Sequence, residues 1–201
     1  SADFTDKNVG TDKTVNVAGI FISGTDAANY SLQNLTASTT ADITPKAIAI
    51  SGITASDKVY DATTDTTVYT ANASGWIEGD VVSVSATGTF VNKNAGTDKT
   101  VTLTSTYTGS DLLNYTITDQ ATTTADIAPK AITISGITVP DKVYDATAAA
   151  TVDTTNATGW IAGDTISVSA SGLFANKNVG ADKTVVISGF TLSGEDSGNY
   201  T

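Results

Sequence analysis

Nineteen aspartates carry most of the reactive chemistry of this chain, alongside two glutamates, ten lysines and no arginine, histidine, cysteine or methionine. Without cysteine there is no disulfide, thiolate nucleophile or thiolate metal site. Without histidine the commonest general base and transition-metal ligand is gone. Oxygen-donor chemistry remains, and the cation suited to it is calcium, which takes about six to eight carboxylate, carbonyl and water oxygens. The best-placed donors are Asp80 and Asp164 in two Gly-Asp turns, with Asp26, Asp111 and Asp196 in three segments of the form [ST]G-x-D-x-x-NY. No D-x-D-x-D-G loop accompanies them, and a lone aspartate at a strand end ordinarily just ends the strand. These five are therefore weak calcium candidates, and no other cofactor is expected. A glycosidase-like carboxylate pair would draw on the same residues, but no aromatic-lined cleft is suggested. The chain is not expected to be an enzyme, and no catalytic residue is assigned.

The lysines point to organisation. All ten stand at recurring positions: Lys7/93/177, Lys13/99/183, Lys46/130 and Lys58/142. Residues 43–104 match residues 127–188 at an offset of 84, with 41 of 62 positions identical. A further copy of the second half opens the chain, where Phe4, Lys7-Asn8, Asp12-Lys13 and Asn29-Tyr30 echo Phe90, Lys93-Asn94, Asp98-Lys99 and Asn114-Tyr115. The expected divisions are 1–44, the C-terminal half of one repeat; 45–128, a complete repeat; and 129–201, a repeat lacking its last strand. A period this long suits small domains in series, each with its own core. Lys93-Asn94 and Lys177-Asn178 read as K-N-x-G turns. A Lys–Asn isopeptide bond is the sharper alternative.

The formal charge is −11. Nucleic acid would be repelled, since phosphate binding needs clustered Lys or Arg, and no run of apolar residues is long enough for a membrane helix. The expected partners are neighbouring repeats of the same chain, with self-association through strand edges as a further option.

Thr supplies 38 residues, and the strong helix formers are scarce. Apolar residues alternate with polar ones, as in Ile132 and Ile134 or Ile166, Val168 and Ala170. The fold class is all-β, with strands expected near 46–54, 57–61, 66–71, 81–90, 99–107 and 114–127. Gly52 and Gly136 interrupt the first strand, which suggests a bulge. Small antiparallel immunoglobulin-like β-sandwich units in an extended rod fit best. A β-grasp-like unit is the alternative, if Trp76–Asp80 forms a helical turn. One-per-repeat aromatics, Trp76/160, Phe90/174, Tyr60/144 and Tyr115/200, are the expected core anchors. Asp61 and Asp145 are expected to brace the turn after Tyr60 and Tyr144, with the tyrosine rings packed inward.

The pieces DKVYDAT, GWIxGD, F-x-x-KN-x-G and SG-x-D-x-x-NY resemble the YDG-domain repeats of large bacterial filamentous-haemagglutinin-like surface adhesins, which are similar to MBG repeats. The resemblance covers essentially the whole chain. It implies an extracellular, bacterial cell-surface location and a non-catalytic stalk or spacer role, with no catalytic residues to carry over. Weak multivalent glycan or matrix-protein binding, through Tyr69 and Tyr107, is one alternative; self-associating units of a fibre or biofilm matrix are another. The glycine that names the motif is Ala62 and Ala146 here. The turn is accordingly expected to have an ordinary negative φ, because alanine at positive φ would be strained.

Overall fold

The computed structural model describes residues 1–201. Strands joined by turns make up the chain, and its helical pieces are three short 3-10 turns, Ala27–Asn29, Leu112–Asn114 and Ser197–Asn199. The all-β expectation is met, and the period-two pattern sets it. Along Gly96–Thr108, Val101 and Leu103 are buried while Thr102 and Thr104 face solvent.

Two compact units form. The first comprises Ser1–Ile53, Tyr69–Thr87 and Leu103–Ala121. Its antiparallel sheet joins Ala2–Phe4, Gly10–Ala18 and Thr36–Ile43, with Phe4 opposite Val15 and Val15 opposite Thr39. Lys46–Ala49 pairs in parallel with Tyr115–Thr118, Lys46 opposite Tyr115 and Ala49 opposite Thr118. The Ile50 amide extends that ladder, donating to the Thr118 carbonyl at 2.9 Å. Val15, Ile48, Ile50, Ile53, Val82, Leu103 and Tyr115 are buried.

The second unit comprises Thr54–Val68, Gly88–Thr102 and Thr122–Thr201. Thr122–Ala128 runs antiparallel to residues 96–102, with a register shift between Gly96 and Lys99. On its other side Ile127 and Ala128 pair in parallel with Lys58 and Val59. Asp65 and Thr66 pair with Thr89 and Gly88. A further antiparallel sheet holds Ala149–Ala150, Ser167–Phe174 and Val185–Ser193. Lys130 and Tyr200 form a parallel bridge that repeats the Lys46–Tyr115 pairing. Tyr60, Phe90, Val101, Ala125, Ile127 and Tyr200 are buried.

The middle copy, residues 45–128, contributes segments to both compact units. Three expectations are corrected. Pairing is not wholly antiparallel, since Lys46–Ala49 runs parallel to Tyr115–Thr118 and Lys58–Val59 parallel to Ile127 and Ala128; so long an intervening chain permits such crossovers. Gly52 marks a break rather than a bulge. The strand ends at Ala49, Ser51 bridges Ser74, and Gly52 takes φ +85° where a Cβ would stand 2.1 Å from the Asn72 carbonyl oxygen. The expected strand 114–127 is two strands, Tyr115–Thr118 and Thr122–Ala128.

The aromatic anchors divide. Tyr60, Phe90, Tyr115 and Tyr200 are buried. Trp76 and Trp160 are half-buried, because they sit in turns rather than on the covered face of a strand, and Phe174 is also half-buried. Tyr144 is 54 % exposed against 1 % for Tyr60. Trp76–Asp80 is a turn closed by the Asp80 amide on the Ile77 carbonyl, not a helix, which removes the condition for a β-grasp-like unit.

Candidate functional site

Two loops and one lysine build the site, a third loop joins them in its second occurrence, and each occurrence lies inside a single compact unit.

The DKVYDAT loop aims its tyrosine. Lys58 folds back so that its ammonium meets the Asp61 carboxylate at 2.8 Å, the Thr63 carbonyl at 2.9 Å and the Asp65 carbonyl at 3.0 Å. Asp61 accepts from the Thr63 amide at 2.9 Å, so it braces the turn as expected. Lys142, Asp145 and Thr147 repeat this arrangement. The Lys142 ammonium and the Thr147 donors hold the Asp145 carboxyl down to about 2. Inside the turn, Ala62 and Ala146 adopt φ +64° and +63°. The expectation of an ordinary φ is therefore wrong: the lysine–aspartate brace holds alanine in the left-handed region, which costs roughly 1–2 kcal/mol per turn.

The GWIxGD and [ST]G-x-D-x-x-NY loops are stitched together. Asp111 accepts from the Val81 amide at 2.8 Å, and Asp196 from the Thr165 amide at 2.9 Å. Tyr115 takes the Ile77 amide on its hydroxyl at 3.1 Å and donates to Asp80; Tyr200 does the same with Ile161 and Asp164. Gly109 makes this stacking sterically feasible, since a Cβ there would lie 2.1 Å from the Val81 carbonyl oxygen. Each pair of loops thus presents two aspartates side by side.

Into each aspartate pair comes the lysine of the preceding copy. Lys7 binds Asp80 and, at 3.0 Å, Asp111. Lys93 binds Asp164 at 2.7 Å and Asp196 at 3.0 Å. The neighbouring K-N-x-G backbone docks as well: the Val9 amide donates to Asn114 Oδ1 at 2.9 Å, and the Ala95 amide to Asn199 Oδ1 at 2.8 Å. In the second site Tyr60 closes over the pair. Its hydroxyl donates to Asp164 at 2.8 Å, and its ring meets Tyr200 edge-on at 5.5 Å. The Lys93 ammonium also lies 5.8 Å from the Tyr60 ring centroid. Residues 1–44 hold no counterpart of Tyr60. Accordingly the Lys7 side chain is 62 % exposed and that of Lys93 34 %.

Charge and burial act together on these groups. The carboxylates of Asp80 and Asp111 are held below their usual range, Asp80 chiefly by Lys7 and Asp111 chiefly by the Val81 amide and then Lys7. Burial works upward on Asp164, yet donation from Lys93, Tyr200 and Tyr60 keeps it lowered. Hydrogen bonding to the aspartates raises Lys7 and Lys93 above the ordinary lysine range. Burial, then Asp164, pushes the Tyr200 hydroxyl up to about 12. Carboxylates held ionised and lysines held protonated are the reverse of what general acid–base or lysine-nucleophile chemistry needs. The arrangement is suited to a buttressed electrostatic lock.

The calcium candidates are therefore paired as Asp80 with Asp111 and Asp164 with Asp196, but an ammonium stands between the carboxylates. No group of three or more His, Cys, Asp or Glu side chains converges. Asp26 lies exposed before the turn Ala27–Asn29. The Lys93 ammonium meets carboxylates rather than an asparagine side chain, so at Lys93 the geometry for a Lys–Asn isopeptide bond is missing. Of the two tyrosines considered for ligand contact, Tyr69 is exposed and Tyr107 half-buried. Sequence reasoning missed Lys7 and Lys93 as partners of the next copy, and Asn114 and Asn199 as partners of the preceding one. Their fixed recurrence was the available signal, but nothing in it reveals which copy each one touches.

A family model described as the YDG domain matches residues 1–41, 44–125 and 128–201. No curated protein and no solved structure matches the chain.

Proposed function

Because the chain belongs to the YDG-domain family, we propose that it serves as non-catalytic spacer repeats of a secreted bacterial cell-surface adhesin, holding a distal binding region away from the cell. One observation carries the reading: the lysine–diaspartate lock forms twice, with the same residue types, between one copy and the next. A spacer needs its successive copies held to each other, and a lock with buried aspartates and a docked backbone provides that at each junction. The reading takes each copy as a small β-sandwich, supported by alternate burial along Ser83–Phe90 and Gly96–Thr108. The net charge of −11 suits a solvated extracellular stretch with little tendency to aggregate.

The test is reach. A fixed binding domain displayed on a cell beyond one, two or three copies should engage a surface-tethered ligand at a distance that grows by a constant step per copy. A reach independent of copy number would overturn the reading, as would specific capture of the chain itself on a glycan or matrix-protein array.

A further inference from the structure

Three lysines occupy the K-N-x-G position, and the structure shows what two of them do. The third, Lys177, is exposed together with Asn178 and with Val179, the counterpart of Val9 and Ala95. Its tyrosine is Tyr144, the counterpart of the buried Tyr60. The intervening loops are formed all the same: Lys142 braces Asp145, and Ala146 holds its positive φ. Tyr144, Phe174, Lys177, Asn178 and Val179 line one concavity of about 590 Å³.

We infer that this concavity is a docking surface for a YDG repeat whose GWIxGD and [ST]G-x-D-x-x-NY loops present a paired aspartate face. Lys177 enters the carboxylate pair, the Val179 amide donates to the asparagine of the partner's Asn-Tyr, and Tyr144 closes over the aspartate as Tyr60 does over Asp164. Charge complementarity selects the occupant: of the three lysines lining the surface Lys142 and Lys183 are engaged locally, which leaves the Lys177 ammonium and a free backbone amide, and both aspartate faces in the chain are engaged by such a pair of donors. The occupant is a further repeat joined in the same polypeptide. The inference rests on the spacer reading only in taking the lock as the contact between copies.

Amine acylation followed by mass spectrometry tests it, because only the neutral amine reacts and each unit of raised lysine pKa cuts that fraction about tenfold. In the 201-residue chain, Lys93 should react at least about tenfold more slowly than Lys177. In the chain extended after Thr201 by a second copy of residues 117–201, Lys177 should slow to the rate of Lys93. Asparagine in place of the appended copy's two aspartates, those repeating Asp164 and Asp196, should restore its reactivity. An unchanged Lys177 rate in the extended chain overturns the proposal, as does protection that survives the asparagines. Protection of Lys177 in the 201-residue chain that grows with concentration also overturns it, by naming a separate copy as the occupant. A fast Lys93 would instead sink the lock itself, and with it the spacer reading. Melting of the variants gives a second measurement should the appended copy fold poorly. Lys177→Gln should be silent in the 201-residue chain and destabilising in the extended one, whereas Lys93→Gln destabilises both; a Lys177→Gln silent in both overturns the proposal.

Discussion

Lys93 and Asp164 meet at 2.7 Å although 71 positions separate them, and the lysine belongs to one repeat copy and the aspartate to the next. The Asp164 side chain is 2 % exposed, and Lys93, Tyr60 and Tyr200 all donate to it. A carboxylate so enclosed is stable only while those donors remain, since unpaired buried charge is strongly disfavoured.

Tyr60→Phe removes one donor and leaves the ring stacking in place. It should cost about 1.5–3 kcal/mol, the scale of a hydrogen bond to a charged group. Asp164→Asn removes the charge and turns one of the two acceptor oxygens into an NH2 donor, so it leaves at least one of the three donors unmatched and should lower the melting temperature more than Tyr60→Phe. Differential scanning calorimetry of both variants checks the order, and a neutral Asp164→Asn would contradict the lock.

Stability should fall at both pH extremes. Asp80, Asp111 and Asp164 are held below the ordinary aspartate value of 3.8, and Asp145 is near 2. Their contribution is complete above about 4 and is lost as pH drops through the folded values, so an acid limb should run from about 4 down to about 2. Tyr200 is raised to about 12 from 10, and Lys7 and Lys93 are raised above 10.5. Their contribution is complete below about 10 and fades as pH climbs through the folded values. Denaturant midpoints across pH 2 to 12 should therefore show a plateau between these limbs; a maximum confined to one narrow pH would count against it.

Ala62→Gly and Ala146→Gly should each stabilise the chain. Relief of the left-handed alanine exceeds the extra entropy of an unfolded glycine by about 0.5–1 kcal/mol. A lower midpoint for Ala146→Gly would show that the turn relaxes to negative φ in solution.

The parallel pair Lys46–Ala49 and Tyr115–Thr118 makes a mechanical prediction. Pulling from Pro45 and Asp119 drags the two strands past one another and loads the whole ladder together. Pulling from Lys46 and Tyr115, which face each other at one end, opens it bond by bond. Forced unfolding follows the unfolding barrier, so the first geometry should rupture at higher force at the same loading rate. Equal forces would argue against this register.

Much of the strand layout was legible before the structure. Val101 and Leu103 alternate with threonines, and such a pattern can bury only one face of a strand. Asp61 was legible as a turn brace because its reach is local, two residues to the Thr63 amide. Gly52 drew attention as an interruption, but its cause, the Asn72 carbonyl oxygen, comes from a turn distant in sequence and leaves no local trace. Positive φ at Ala62 was misread for a similar reason. Alanine's own preference is negative, and the override comes from Lys58, Asp61 and Thr63 acting together.

Repetition, β-class and an acidic, thiol-free surface are properties of composition and period, and the sequence alone determined them. Which copy's lysine meets which copy's aspartates depends on how distant segments pack, so only the tertiary structure decided it. Identical copies carry identical local signals, and a lysine such as Lys93 has no sequence mark distinguishing an aspartate of its own copy from one of the next. Burial of Asp164 beneath Tyr60 and Tyr200 resolves that choice in favour of the next copy, because there alone is the charge matched by three donors at once.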